Sequence, residues 1–84
     1  LKLTYLSLSR CGVNDEGLKA IAKAPNLTRL ELDGTKITAA GVPVLANQKK
    51  LVFLDLNNTP ADATGLRALE KVKTLRDVHA VETK

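Results

Sequence analysis

A chain of 84 residues holds one domain at most, and a compact domain that short buries only about 60–65% of the surface its unfolded chain exposes, so its stability margin is thin. Hydrophobic residues at 44% and charged residues at 26% argue against disorder, and no stretch is long and apolar enough to span a membrane as a helix. One cysteine, Cys11, excludes an internal disulfide, and a net charge of +4 suggests an anionic partner only if the charges are gathered on one surface.

The first segment, Leu3-Thr4-Tyr5-Leu6-Ser7-Leu8-Ser9, alternates apolar and polar residues, which predicts a strand with one buried face. A turn at Arg10-Cys11-Gly12 and an apolar Val13 follow. Asn14 and Asp15 are good helix caps, because a short side-chain oxygen accepts from the free N–H groups of a first turn. Gly17–Lys23 then predicts a short helix with Leu18, Ile21 and Ala22 on one face, closed by Pro25-Asn26. The second segment, 27–50, repeats the plan. Leu30 and Leu32 face inward, Thr35 stands where Cys11 stood, Ile37 where Val13 stood, Thr38 is the expected cap, and Val42, Leu45 and Ala46 form the helix face. Pro43 removes a backbone donor, so this helix is expected to start near Val42 or to be a 3₁₀ turn. The third segment, 51–74, places Leu54 and Leu56 inside, Thr59 in the turn, Ala61 after Pro60, Asp62 as cap and a helix over 66–72, expected to be the most regular of the three. The small Ala61 predicts the loosest packing there. The fourth begins at Leu75, offers Val78 and Ala80 to the interior and Thr83 to the turn, and ends at Lys84 without a helix.

The period is constant. Leu3, Leu27, Leu51 and Leu75 lie 24 residues apart, as do Leu6, Leu30, Leu54 and Val78. A fixed spacing of this size is the mark of a repeat array. The reading is therefore one array over 1–84, with repeats 3–26, 27–50 and 51–74 and a partial repeat 75–84, expected to be an excerpt of a longer one. Strand–helix–strand succession implies parallel strands. Strands stack about 4.8 Å apart and helices cannot, so the array is expected to curve with its sheet inside. The core is aliphatic, since Tyr5 and Phe53 are the only aromatics. Both sheet edges are open, so the isolated chain is expected to be marginally stable or to self-associate through its repeat ends.

The pattern Leu-x-x-Leu-x-Leu-x-x-Thr-x-Ile-Thr-x-x-Gly-Val-x-x-Leu, read from Leu27 to Leu45, resembles the leucine-rich repeat family, and the resemblance covers essentially the whole chain. Cys11, Thr35, Thr59 and Thr83 stand where many members carry asparagine. That is similar to a 24-residue class of bacterial arrays and to the cysteine-containing class of ubiquitin-ligase adaptors. The resemblance implies an α/β solenoid with a curved parallel sheet on the concave side and short helices on the convex side. It also implies binding of other macromolecules on the strand face, with no common catalytic activity. Fold-level likeness alone does not fix function.

Strand alternation lines up three outward rows: Tyr5, Arg29, Phe53 and Asp77; Ser7, Glu31, Asp55 and His79; Ser9, Asp33, Asn57 and Val81. Their centre leans acidic, while Lys19, Lys23, Arg67 and Lys71 lie on the helices and Lys49, Lys50 and Lys73 near the returns. The expected contact surface is Tyr5, Arg29, Glu31, Asp33, Phe53, Asp55, Asn57, Asp77 and His79, taking a protein or peptide with basic or amide groups. Exposed aromatics are typical interface anchors, against the alternative that Tyr5 and Phe53 only pack on neighbouring strands. Two or three carboxylates without a ligand loop make a poor metal site, so no metal or other cofactor is expected. No catalytic residue is expected either: Ser7 would lie three strands from His79, roughly 14 Å at normal strand spacing, too far for a triad. Cys11 reads as a buried, inert small residue. The helix-side lysines lack aromatics for base stacking, so no nucleic-acid partner is expected, and no membrane partner. An interaction module is the leading reading. A structural spacer, or a recognition segment of an enzyme whose chemistry lies elsewhere, are the alternatives.

Overall fold

The computed structural model describes residues 3–81. Four three-residue strands form one parallel sheet in chain order: β1 (Tyr5–Ser7), β2 (Arg29–Glu31), β3 (Phe53–Asp55) and β4 (Asp77–His79). Their register is the sequence period itself, with Leu6 opposite Leu30, Leu30 opposite Leu54 and Leu54 opposite Val78. Backbone bonds recur at the same interval beyond the strands: Leu8 N–H to Glu31 O at 2.8 Å, Leu32 N–H to Asp55 O at 2.8 Å and Leu56 N–H to His79 O at 2.6 Å.

Each of the first three strands ends in a turn whose middle residue is left-handed, Arg10 (φ 60°), Gly34 (φ 72°) and Asn58 (φ 58°). That conformation lets each of the three N–H groups reach the carbonyl of the following repeat, at 2.7, 2.9 and 2.9 Å. The turn threonines close it from inside. Thr35 Oγ1 donates to Leu32 O at 2.6 Å and Thr59 Oγ1 to Leu56 O at 2.8 Å, both buried. Cys11, at the equivalent position, is exposed. This corrects the expectation of a buried thiol: β1 is an edge strand, and the turn of the first repeat has a neighbour on one side only. The fourth turn residue, Thr83, lies outside the described residues.

The core is the layer between the sheet and the helical segments. Leu30, Leu32, Leu54 and Leu56 from the strands, and Ile37, Val42 and Leu45 from the opposite side, have no solvent exposure. Ala61 is equally enclosed. Helix α1 (Asp15–Ile21) begins with Asn14 as its cap, whose Oδ1 accepts from Gly17 N–H at 3.1 Å. In the second repeat the proline acts as expected: Val42–Asn47 is a 3₁₀ helix with Pro43 in its first turn. Its cap is not Thr38. Gly41 holds that position without a side-chain bond; the Thr38 hydroxyl accepts from Ala40 N–H at 3.2 Å ahead of the helix, while Asp15 accepts from the Thr38 N–H at 2.9 Å and from its hydroxyl at 2.5 Å. The third repeat was expected to hold the most regular helix and does not. After the cap Asp62, α2 (Ala63–Arg67) runs five residues and tightens into a 3₁₀ turn over Ala68–Lys71. The seven residues of α1 make it the more regular.

Where a repeat has neighbours on both sides its core-facing strand leucines vanish from the surface; at the ends their equivalents do not. Leu3 is 44% exposed and Val78 42%, whereas Leu27, Leu51 and Leu54 are at 0%. Among the described residues no helix is long and apolar enough to cross a membrane.

Candidate functional site

The outward residues of the sheet lie in the rows that alternation and period require. Tyr5, Arg29, Phe53 and Asp77 are register partners, and so are Ser7, Glu31, Asp55 and His79. The third row is tied by side chains: Ser9 Oγ donates to Asp33 Oδ1 at 2.6 Å, and Val81 N–H donates to Asn57 Oδ1 at 2.6 Å.

Within these rows the side chains are stacked rather than independent. The Arg29 guanidinium lies 5.6 Å from the Tyr5 ring centre and 4.0 Å from that of Phe53. On the far side, Phe53 meets the His79 ring at 4.9 Å and a tilt of 51°. A cation held over an aromatic face is attracted by the ring's quadrupole, and rings tilted at this distance are in a favoured arrangement. One ribbon, Tyr5–Arg29–Phe53–His79, therefore crosses all four strands. Tyr5 remains 52% exposed within it, and Phe53 is half-buried.

Glu31 holds the ribbon in place. Arg29 donates to its Oε2 from Nε at 3.0 Å and from the terminal nitrogen at 2.9 Å, and Tyr5 donates its hydroxyl to Oε1 at 3.0 Å. Hydrogen bonds from Arg29 first, then from Ser7 and Tyr5, hold the Glu31 carboxyl below its ordinary pKa, against a smaller opposing effect of burial. The acidic centre is thus partly neutralised from within. Asp55 accepts only the N–H of Asn57, at 2.9 Å. Asp55 and Asp77 have no cationic partner among the described residues. His79 sits beside Asp55 in register, but its ring packs on Phe53 instead of pairing with the carboxylate.

Sequence reasoning grouped these nine residues, yet it missed the coupling between them and the parts of Ser9, which donates to Asp33, and of Ser7, which is hydrogen-bonded to Ser9. The signal was present in the spacing, since Arg29 stands one repeat from both Tyr5 and Phe53. Ser7 and His79 are on the two outer strands, β1 and β4, and do not pair. Among the described residues no cluster of three or more His, Cys, Asp or Glu could hold a metal ion.

No curated protein matches the chain. A family model described as Leucine Rich repeat matches residues 1–22 and 23–46, two consecutive units that together cover more than half of the sequence. Those matches fall on units that stack strand on strand in the register of the period, and the chain belongs to the leucine-rich repeat family.

Proposed function

We propose that the chain takes a protein or peptide on the outer face of its sheet, with Tyr5, Arg29, Phe53 and His79 as the anchoring ribbon and Asp33, Asp55, Asn57 and Asp77 as its polar border. Leucine-rich repeats are generally protein-interaction modules and typically not enzymes; the face, the partner and the absence of catalysis in this chain are the proposal. In the same reading the repeats curve as a solenoid with this sheet on the concave side, Glu31 orders the ribbon, and the whole array 1–84 works as one domain.

What carries the reading is the ribbon. An outward run of two aromatics, an arginine and an imidazole, with Tyr5 and Arg29 held by hydrogen bonds to Glu31 and Phe53 and His79 by ring contacts, includes the tyrosine and arginine enriched among interface hot spots and loses little side-chain freedom on binding. Asp55 and Asp77, without counter-charges of their own, favour a partner that presents lysine, arginine or amide groups, and they repel phosphate-rich partners.

The test is capture of partners from a native lysate, followed by titration with two sets of variants. Phe53→Ala is expected to weaken association by about 1–2 kcal/mol or more. Asp55→Lys with Asp77→Lys is expected to slow association and reverse its salt dependence. Lys19→Glu and Arg67→Glu on the helical side are expected to change nothing. Loss of binding in the helical set alone would move the interface off the sheet.

A further inference from the structure

The first and last strands expose two halves of one kind of joint. On the first repeat, Leu6, Leu8, Val13 and Ile21 are only partly buried, and Leu3 is 44% exposed. Their equivalents one repeat later, Leu30, Leu32, Ile37, Leu45 and Leu27, have no solvent exposure, because a preceding repeat covers them. At the other side Val78 is 42% and Val81 66% exposed. There Leu66, Leu69, Val72, Leu75 and Val78 line an open hollow of about 510 Å³, on the side where a following repeat would stack.

The backbone carries the same complementarity. Thr4 O accepts from the N–H groups of Thr28 and Arg29, Thr28 O from those of Val52 and Phe53, and Val52 O from those of Arg76 and Asp77, at 2.8–3.1 Å. Arg76 O is the next acceptor in that series, and the N–H groups of Thr4 and Tyr5, on the outer edge of β1, are the donors that match it. Side chains permit the joint as well. The 24-residue register would set Tyr5 and Ser7 of an added β1 beside Asp77 and His79. Tyr5 and Ser7 are uncharged, so no like charges meet.

We propose that a second copy of this chain docks its β1 edge on β4 in parallel, head to tail, with the register of the repeats continued across the joint. Helix spacing selects this occupant. Strands stack about 4.8 Å apart, whereas packed helices need about 8–10 Å between axes. Among the described residues no helix follows β4. A copy's β1 added there stands two strand spacings from β3, which sets its α1 about 10 Å from α2, a packing distance for helices. The side of α1 that leaves Ile21 half-covered then closes on the hollow at Leu66 and Leu69. Pairing β4 with β4 about a two-fold axis would instead set two α2 segments three spacings apart, about 14 Å, and leave the hollow unfilled. The two surfaces of the head-to-tail joint differ, so the contact is heterologous and each added copy offers the next one the same free edge.

Sedimentation of the full chain over a concentration series, alone and in mixtures of variants, tests the joint and its polarity. Leu3→Lys charges the β1 side and Val78→Lys the β4 side. Val81→Lys, at a residue 66% exposed, blocks the β4 side a second time and spares the core. The unaltered chain should grow beyond the mass of a dimer. Each variant alone should associate about tenfold or more weakly, since burying an unpaired ammonium is costly, and should keep the circular dichroism of the folded chain. An equimolar mixture of Leu3→Lys with either β4-side variant should restore a dimer and stop there, because each such pair keeps one intact joint and no other. Phe53→Ala should leave the series unchanged, which separates this contact from the face proposed for the partner. A dimer that survives Leu3→Lys alone, a mixture that stays monomeric, or an unaltered chain that is monomeric throughout would each overturn the proposal.

Discussion

The left-handed turn residue shows how one repeated position can be filled well or badly. Gly34 has no Cβ to strain, and Asn58 tolerates positive φ better than most residues. Arg10 at φ 60° has neither excuse, and its conformation persists because its N–H must reach Asp33 O at 2.7 Å. Arg10→Asn is therefore expected to raise stability by about 1 kcal/mol, read as a higher denaturant midpoint with unchanged slope. Glu31 makes a second prediction at this scale. Its carboxyl has a lowered pKa in the folded state, so it contributes stability that is present above its unfolded pKa and is lost as pH falls through the folded value. The chain should lose stability on acidification below the ordinary glutamate range of about 4.5, and Glu31→Gln should flatten that part of the pH profile. An identical acid profile in the variant would mean that the Arg29 and Tyr5 bonds are too well solvated to matter.

At the scale of elements, the strands were legible in the sequence and the helices in part: Asn14 and Asp62 cap as expected and Pro43 gives a 3₁₀ helix from Val42, but the third helix is not the most regular. Strand faces follow from alternation, and parallel register follows from a constant period, so a single reading of Leu6, Leu30 and Leu54 fixes both. Helical detail depends on what each cap residue meets across the repeat boundary. Thr38 spends its hydroxyl oxygen on Ala40 N–H, ahead of the 3₁₀ helix, and is tied by both its donors to Asp15 of the preceding repeat. Cys11 likewise has the size of a buried turn residue and lacks only a neighbour to bury it. The stacked ribbon was half legible: the rows are in the sequence, but the choice of His79 to lie on Phe53 instead of Asp55 is made by packing. The glycines that precede the helical faces obey the same cross-boundary logic. A Cβ on Gly65 would stand 2.7 Å from the Ala39 Cα, a backbone atom that cannot swing aside. Gly65→Ala is expected to cost about 1–3 kcal/mol by overpacking the joint between repeats two and three. Gly12→Ala, with nothing within 4 Å of the added atom, is the matched control and should be near neutral. Equal effects of the two would show that the repeat joint is compliant.

The whole molecule is a stack in which each repeat is stabilised mainly by the next, so stability is set by how many interfaces are closed. The second repeat is closed on both sides. The outer surfaces are not: Leu3 and Val78 stand 44% and 42% exposed at positions whose inner equivalents are fully covered, and at the β4 side Leu66, Leu69, Val72, Leu75 and Val78 line an open apolar hollow of about 510 Å³. An open strand edge beside an apolar surface is a template for another strand, and the rim of this hollow carries both signs of charge, Glu70 against Lys73 and Arg76, so a second copy would not be repelled. The isolated 84-residue chain is accordingly expected to associate reversibly, with an average mass that rises over a sedimentation concentration series and a melting temperature that rises with it. Val78→Lys places a charge in the open apolar surface beside the free edge, at a position that also packs next to Leu54 across the β3–β4 pairing. It should shift the population to monomer and remove the concentration dependence, while circular dichroism stays that of the folded chain. A monomer at every concentration, melting sharply above the ordinary mesophile range of about 45–65 °C, would show that three joined repeats hold themselves without help from their ends.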